Sequence, residues 1–139
     1  DHDPAASSFG MEAAEKLGVP PERVFKTLVV KLDGKELAVG VIPVNSMLSM
    51  KAIAKAAGAK KAGMAEKAEV ERSTGYVLGG VSPLGQKKRL RTFIDASAEG
   101  FSTVFVSAGK RGMDVEMKPS DLHDLTKALY VPLCSETRG

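Results

Sequence analysis

Hydrophobic and polar positions along the chain predict several strands mixed with short helices in irregular order. Residues 24–32 and 36–44 are rich in β-branched side chains and flank Asp33-Gly34, a dipeptide typical of two-residue hairpin turns. These two segments therefore predict an antiparallel hairpin. Three later apolar segments also predict strands, at residues 90–95, 103–107 and 113–117.

Capping residues and glycines indicate four helices. The predicted helices cover residues 8–18, 49–57, 65–72 and 120–129. Ser49 can cap the second helix, and Gly58 suits the left-handed conformation that commonly ends a helix. Because strands and helices do not follow a repeated βαβ order, we expect an α+β fold, with a mixed, partly closed β-barrel or sheet and the helices outside it.

Composition limits the class of protein. The chain has 139 residues, of which 43% are hydrophobic and 27% charged, so we expect one globular domain over residues 1–139. The sequence has no apolar run long enough for a transmembrane helix and no signal peptide at its start, so we expect no membrane association. Cys134 is the only cysteine, which favours a reducing, cytoplasmic environment. Two histidines and one cysteine are too few for a structural zinc site, and we expect neither a metal nor a cofactor.

Lys26 is the first candidate functional residue. Alternation along residues 24–30 places it on one face with Leu28 and Val30, and Thr27 on the other face with Phe25. Both faces are largely apolar, so the ammonium is costly to bury unless an anion or an opening accompanies it. The alternative is a lysine at a strand end whose aliphatic stem reaches water. The pattern leaves both interpretations open.

The glycine-rich segment at residues 79–85 is the second candidate. It is not a nucleophile elbow around Ser82, because Leu84 stands where that motif needs glycine, and it lacks the G-x-G-x-x-G dinucleotide fingerprint. A tight turn with accessible backbone N–H groups remains, which can hold a carbonyl oxygen or an anion. The segment can equally be a simple connection between two elements.

Two basic segments are candidates for contact with a polyanion. Residues 107–112 place Lys110 and Arg111 between glycines, but Val104 and Arg111 occupy positions that exclude a P-loop. Residues 86–91 carry four positive charges, as a nucleic-acid contact does, although such runs are often plain solvated surface. Residues 86–91 come directly after the glycine-rich segment, which favours their contact with the ligand that the segment binds.

Taken together, these segments resemble the YbaK/EbsC family of aminoacyl-tRNA deacylases, and in particular its Cys-tRNA(Pro) deacylase branch. The resemblance follows family order and spacing through Phe9-Gly10, residues 24–29, Met64-Ala65, residues 73–76, residues 79–85 and residues 109–112. The fold implied is a mixed β-barrel with helices around it, related to the editing domain of some prolyl-tRNA synthetases. Relatives carry a further N-terminal helix and strand with a pocket tyrosine, and the chain begins at Asp1, so we expect an N-terminal segment to be missing.

The resemblance also implies roles for individual residues. Lys26 matches the essential lysine of the family. The substrate-binding residues expected from it are Phe9, Thr27, Gly79, Gly80, Ser82, Pro83, Ser107, Gly109 and Asp114. The residues expected to contact tRNA are Lys87, Lys88, Arg89, Lys110 and Arg111.

The activity implied is hydrolysis of the ester of mischarged Cys-tRNA(Pro), with the substrate's own thiol attacking the ester carbonyl. The expected partner is tRNA rather than DNA, and prolyl-tRNA synthetase is a candidate for a transient complex. Two alternatives stay open: a non-catalytic tRNA-binding adaptor, and a deacylase for another mischarged tRNA. Loss of label from Cys-tRNA(Pro) under sub-stoichiometric protein separates an enzyme from an adaptor.

Overall fold

The computed structural model describes residues 4–77, 80–110 and 113–135, with side chains in the first helix described from residue 11 onward. Within these residues the helices are α1 (Pro4–Leu17), α2 (Met50–Ala57), α3 (Lys67–Thr74) and α4 (Pro119–Thr126). The strands are β1 (Phe25–Leu32), β2 (Glu36–Pro43), β3 (Ala62–Met64), β4 (Arg91–Asp95), β5 (Val104–Lys110), β6 (Met113–Met117) and β7 (Leu129–Val131). The predicted α+β class is confirmed.

The β1–β2 hairpin is formed as the sequence predicts. Its strands pair antiparallel from Phe25 opposite Pro43 to Leu32 opposite Glu36. Asp33 and Gly34 have φ values of 50° and 69°, the left-handed pair that a tight hairpin turn requires. The Asp33 carboxylate also accepts hydrogen bonds from the backbone N–H groups of Lys60 and Lys61, at 3.0 and 2.9 Å. These bonds hold the segment before β3 against the hairpin turn.

The described strands form two sheets, one of them mixed as predicted, and they do not close into the barrel that the family resemblance implies. Five strands follow the order β3-β1-β2-β4-β7, and β5 and β6 form a separate antiparallel pair. An isolated parallel bridge between Val24 and Phe105 joins the two sheets. Because Val24 meets β5 while residues 30–32 pair with β3, the outer edge of β1 is divided between two strands. A bulge between Ser107 and Lys110 further interrupts the β5–β6 ladder.

The two faces of β1 pack against different apolar clusters. Phe25 and Val29 belong to an inner cluster that includes Val106 of β5. Val30 and Leu32 belong to a second cluster, the α2 cluster. Its other fully buried members are Ala38, Ile42, Ile53, Phe93 and Leu133. Since both faces of β1 are covered by apolar side chains, a charge on this strand lies close to the core.

The ends of α2 follow their capping residues, whereas α1 begins four residues before the predicted start and α3 lies two residues later than predicted. The Ser49 hydroxyl accepts a hydrogen bond from the Ala52 backbone N–H, and Gly58 ends α2 with φ of 75°. The last helix was predicted to reach residue 129, but it ends at Thr126 because Lys127 takes a left-handed conformation with φ of 58°. The residues that follow form β7 instead. None of the described helices has the length and apolar character needed to cross a bilayer.

Candidate functional site

Lys26 lies near the start of β1, with its side chain partly removed from water. It stands opposite Ile42 of β2, which is fully buried. Burial lowers the pKa of the Lys26 ammonium from its ordinary value, while the neighbouring Cys134 acts in the opposite direction. The amine is therefore a partly dehydrated cation, and an anion placed beside it would be favoured.

Strand register places Ser107 and Asp114 on the same face as Lys26. Val24 pairs with Phe105 in parallel, so the residues two positions later, Lys26 and Ser107, project from the same face of their strands. Asp114 is the partner of Ser107 in the β5–β6 ladder. Burial raises the pKa of the Asp114 carboxyl. A hydroxyl and a partly buried carboxyl thus accompany the amine on this face.

The described part of the glycine-rich segment is a buried, internally hydrogen-bonded turn. Gly80, Ser82 and Pro83 are buried. The Ser82 hydroxyl accepts a hydrogen bond from the Leu84 backbone N–H at 3.1 Å. The backbone carbonyl of Ser82 accepts a hydrogen bond from the side-chain amide of Gln86 at 3.0 Å. The Ser82 hydroxyl therefore shapes the turn. Gly79 lies outside the described residues.

Tyr76 connects this turn to β5. Its hydroxyl donates a hydrogen bond to the Leu84 carbonyl. Its ring lies against Gly109, where φ is 104° and an added Cβ would come within 2.8 Å of Cε1 of the ring. The structure thereby brings Gly109 and the turn together, as the sequence predicts for one site. Only a residue without a side chain fits this contact unchanged.

Thr27 does not share the face of Lys26. Successive strand residues face opposite sides, so the Thr27 side chain lies on the side of the inner cluster. Its hydroxyl is buried without a hydrogen-bond partner among the described residues. Unpaired buried hydroxyls are unusual and call for a specific explanation, such as a ligand or water that satisfies them. Two other predicted residues fall outside the description, namely the side chain of Phe9 and all of Arg111.

The predicted tRNA-contact residues that the structure describes are exposed, and two of them line the same cavity. Lys87, Lys88, Arg89 and Lys110 are exposed. Lys88 and Arg89 line an open cavity of about 420 Å³, the basic cavity. Its lining residues are Lys35, Glu36, Leu37, Glu69, Arg72, Ser73, Lys88, Arg89, Leu90 and Arg91. Glu36 pairs with Arg91 at 2.9 Å and Glu69 with Lys31 at 2.8 Å, so both carboxylates already have cationic partners.

Sequence analysis missed Cys134, which lies close to Lys26, and Asp95, which lies close to Cys134. Cys134 forms an isolated bridge with Leu48 and contacts the α2 cluster. Burial raises the pKa of its thiol, and the nearby Asp95 acts in the same direction. The Asp95 carboxylate accepts hydrogen bonds from the Leu133 and Ser97 backbone N–H groups, at 2.8 and 3.2 Å. Burial alone would raise the pKa of Asp95, but these hydrogen bonds lower it overall. No local sequence signal connects these distant positions.

The arrangement is equipped to bind and orient rather than to supply a nucleophile. The Cys134 thiol is disfavoured as a thiolate, and the Ser82 hydroxyl already accepts a hydrogen bond from its own turn. Among the side chains that the structure describes, no three His, Cys, Asp or Glu residues converge as a metal site would require. The described residues offer a dehydrated cation and a partly buried carboxyl on the Lys26 face, and a tight backbone turn whose Val81 and Leu84 side chains pack against the inner cluster.

Residues 2–125 of the chain match the family described as the aminoacyl-tRNA editing domain. EbsC of Enterococcus faecalis, for which a Cys-tRNA(Pro)/Cys-tRNA(Cys) deacylase activity is proposed, is 41% identical over 123 residues, covering 88% of this chain and 75% of that protein. YwhH of Bacillus subtilis, an uncharacterised protein, is 29% identical over 126 residues, covering 90% of this chain and 80% of that protein.

Solved structures share the fold. The crystal structure of a proposed trans-editing enzyme for prolyl-tRNA synthetase superposes with a TM-score of 0.84 at 24% identity, covering 96% of this chain and 83% of that one. The structure of a hypothetical protein superposes with a TM-score of 0.83 at 27% identity, covering 91% and 83% of the two chains. The arrangement of sheets and helices is therefore that of these proteins.

Replacing Gly109 with alanine should detach Tyr76 from the glycine-rich turn. The new Cβ would clash with the tyrosine ring and would also occupy a backbone conformation that strains an L-residue. We expect the free energy of unfolding, measured by urea denaturation, to fall by about 1–3 kcal/mol. Gly100→Ala is the matched control, because nothing lies within 4 Å of its added Cβ. Equal stability of the two variants would contradict the role assigned to the Gly109–Tyr76 contact.

Proposed function

The chain belongs to the aminoacyl-tRNA editing domain family, and on that premise we propose that it is a trans-editing deacylase that hydrolyses mischarged Cys-tRNA(Pro). The substrate is supported by the 41% identity to EbsC over most of the chain. The observation that carries the proposal is the partly dehydrated Lys26 amine, on the same strand face as Ser107 and Asp114. Such an amine favours an anionic ligand, and the 3′ end of a tRNA carries phosphates.

Lys26 would hold the terminal phosphate and ribose, while the turn at residues 80–83 would hold the aminoacyl group. The burial and internal hydrogen bonds of this turn keep its backbone fixed, so the N–H groups of Val81 and Ser82 would require little reorganisation to face a developing oxyanion. The Gly80 N–H is already donated to the Val77 carbonyl at 3.0 Å, and Pro83 has none. The Asp114 carboxyl offers a further polar contact to the substrate on the Lys26 face. Thr27, on the opposite face, is proposed as a pocket residue on the family resemblance. Phe9, Gly79 and Gly109 are proposed as pocket residues on the family resemblance.

The chemical step uses the thiol of the substrate cysteine. Its sulfur attacks the carbonyl carbon of the same aminoacyl ester, the bond from that carbon to the ribose oxygen breaks, and the ribose oxygen takes up the thiol proton. The products are free tRNA and a cyclic thioester, which water then opens to cysteine. A free thiol has a pKa near 8.5, so a thiolate fraction is present at neutral pH, and a nearby cation increases that fraction.

The exposed residues Lys87, Lys88, Arg89 and Lys110 are proposed to contact the tRNA backbone, and Arg111 is proposed as a further contact on the family resemblance. Lys88 and Arg89 line the basic cavity together with Arg72, in agreement with a cationic surface for phosphates. We also propose the cytoplasm as the compartment and prolyl-tRNA synthetase as a transient partner, since mischarged tRNA leaves that enzyme.

Lys26→Ala should reduce deacylation of Cys-tRNA(Pro) by about 100-fold or more, because the variant lacks the cation that orients the 3′ end. The measurement is the rate of release of labelled cysteine under single-turnover conditions. Lys31→Ala is the matched control, since Lys31 lies on the same strand and pairs with Glu69 at 2.8 Å. Thermal unfolding should show that both variants are folded, and full activity of Lys26→Ala would refute the assignment.

Ala-tRNA(Pro) and Ser-tRNA(Pro) should react about 100-fold more slowly than Cys-tRNA(Pro), because an intramolecular thiol supplies an effective molarity that water lacks. The measurement is a panel of initial deacylation rates at one enzyme concentration. An S-methylcysteinyl ester is the sharpest control, because it keeps the approximate size of the side chain and blocks the sulfur. Similar rates across the panel would indicate attack by water and a different substrate range.

Replacing Lys87, Lys88 and Arg89 with glutamine should weaken tRNA binding and flatten its dependence on salt. Each phosphate that is no longer neutralised lowers the slope of log affinity against log salt by about 0.7–0.9. The measurement is fluorescence anisotropy with uncharged tRNA(Pro) over a range of salt concentrations. An unchanged slope would make this run ordinary solvated surface.

A further inference from the structure

A second cationic cavity lies between α2 and β3, and the proposed function does not use it. This open hollow of about 450 Å³, the lysine cavity, is lined by Met50, Lys51, Ala54, Lys55, Ala59, Lys60, Lys61 and Ala62. Its lining contains four lysines and no acidic residue. The four lysines are all exposed.

The four ammonium groups of this cavity are without ion-pair partners within the described part of the chain, and one carboxylate lies nearby. Lys51 and Lys55 are four residues apart on α2, where like charges face one another and repel. The other two lysines of the cavity, Lys60 and Lys61, contact the Asp33 carboxylate. That carboxylate accepts hydrogen bonds from their backbone N–H groups and not from their ammonium groups. None of the four ammonium groups forms an ion pair with a described residue. A bound polyanion would relieve the repulsion.

The lysine cavity lies on the same side of the sheet as Lys26. The α2 cluster joins Ile53 of the helix to Val30 and Leu32 of β1. These two residues lie on the same face of β1 as Lys26, because an even number of positions separates them. Ala62, at the edge of the cavity, is the strand partner of Leu32. Leu32 and Lys26 are six positions apart on the strand, a distance of roughly 20 Å at about 3.3 Å per residue. A ligand that occupies both places must be long and must carry several negative charges.

We propose that the lysine cavity binds backbone phosphates of the same tRNA whose aminoacyl end lies at Lys26. The inference rests on the proposed function and extends it from the 3′ end to the body of the substrate. Lysine suits this contact, because its ammonium is a point charge on a flexible stem that can follow a phosphate backbone without reading a sequence. The apolar lining is mostly alanine, which gives a protein partner no large anchor and a membrane little surface to insert into.

The test is the fourfold variant Lys51→Gln, Lys55→Gln, Lys60→Gln and Lys61→Gln. The probe is uncharged tRNA(Pro), and binding is measured by fluorescence anisotropy as salt is varied. We expect affinity at low salt to fall, and the slope of log affinity against log salt to fall by about 2–4, which is close to one for each phosphate that the variant no longer binds. Release of cysteine from a short aminoacylated 3′ oligonucleotide should stay unchanged, because that substrate does not reach the cavity.

The matched control removes the same charge elsewhere. It carries Lys16→Gln, Lys67→Gln, Lys118→Gln and Lys127→Gln, four exposed lysines that line neither cavity. Equal slopes for the two fourfold variants would overturn the proposal, since net charge alone would then explain the effect. If the fourfold variant does not fold, the two double variants at positions 51 and 55 and at positions 60 and 61 are each expected to show about half of the change.

Three further outcomes separate this inference from the proposed function. Wild-type protein that hydrolyses Cys-tRNA(Pro), together with an unchanged slope in the variant, would overturn the lysine cavity alone. A reduced slope without hydrolysis by the wild type would support the RNA surface and refute the deacylase. Loss of binding to phosphatidylserine vesicles with unchanged tRNA affinity would identify a membrane surface and overturn the proposal.

Discussion

A lysine ammonium can stay partly out of water only where a neighbouring anion, dipole or opening offsets the missing hydration, and β1 meets this constraint. Apolar clusters cover both faces of the strand. Its outer edge pairs with β5 at Val24 and with β3 at residues 30–32, so the stretch that carries Lys26 lies between these two pairings. The Lys26 side chain projects from a face of the strand and is only half-buried, so its amine remains accessible to a ligand.

The two cationic cavities lie near the same end of the sheet but are built from different elements. The basic cavity includes Lys35 of the hairpin turn and Arg72 of α3, whereas the lysine cavity lies between α2 and β3. Arg91 connects the two regions, since it lines the first cavity and donates a hydrogen bond to the carbonyl of Ala57 at the end of α2. Phosphate contacts at both places would fix the orientation of a nucleic acid without any contact to its bases.

Local signals in the sequence were sufficient for the hairpin and for the ends of α2, because the turn and cap residues there act on their immediate neighbours. They were insufficient for β3 and β7, which have three residues each and exist through pairing with β1 and β4. The proposed site divides in the same way. The strand pattern makes Lys26 a candidate and the family resemblance implies its role, whereas Cys134 comes close to it only through tertiary structure. Asp95 lies beside Cys134 in the same way. The division of the β1 edge between two strands, which leaves the sheets separate, also depends on pairing over long distances.

The position of Cys134 has a consequence for when the proposed site is assembled during synthesis of the chain. The groups around the Lys26 amine come from positions far apart along the sequence, and the Asp95 carboxylate holds the segment before Cys134 through Leu133. A growing polypeptide still attached to the ribosome therefore has β1 long before it has the groups that surround the amine. Contacts between such distant positions form late and slowly. Newly made molecules should accordingly acquire a complete site only once the segment around Cys134 has emerged from the ribosome.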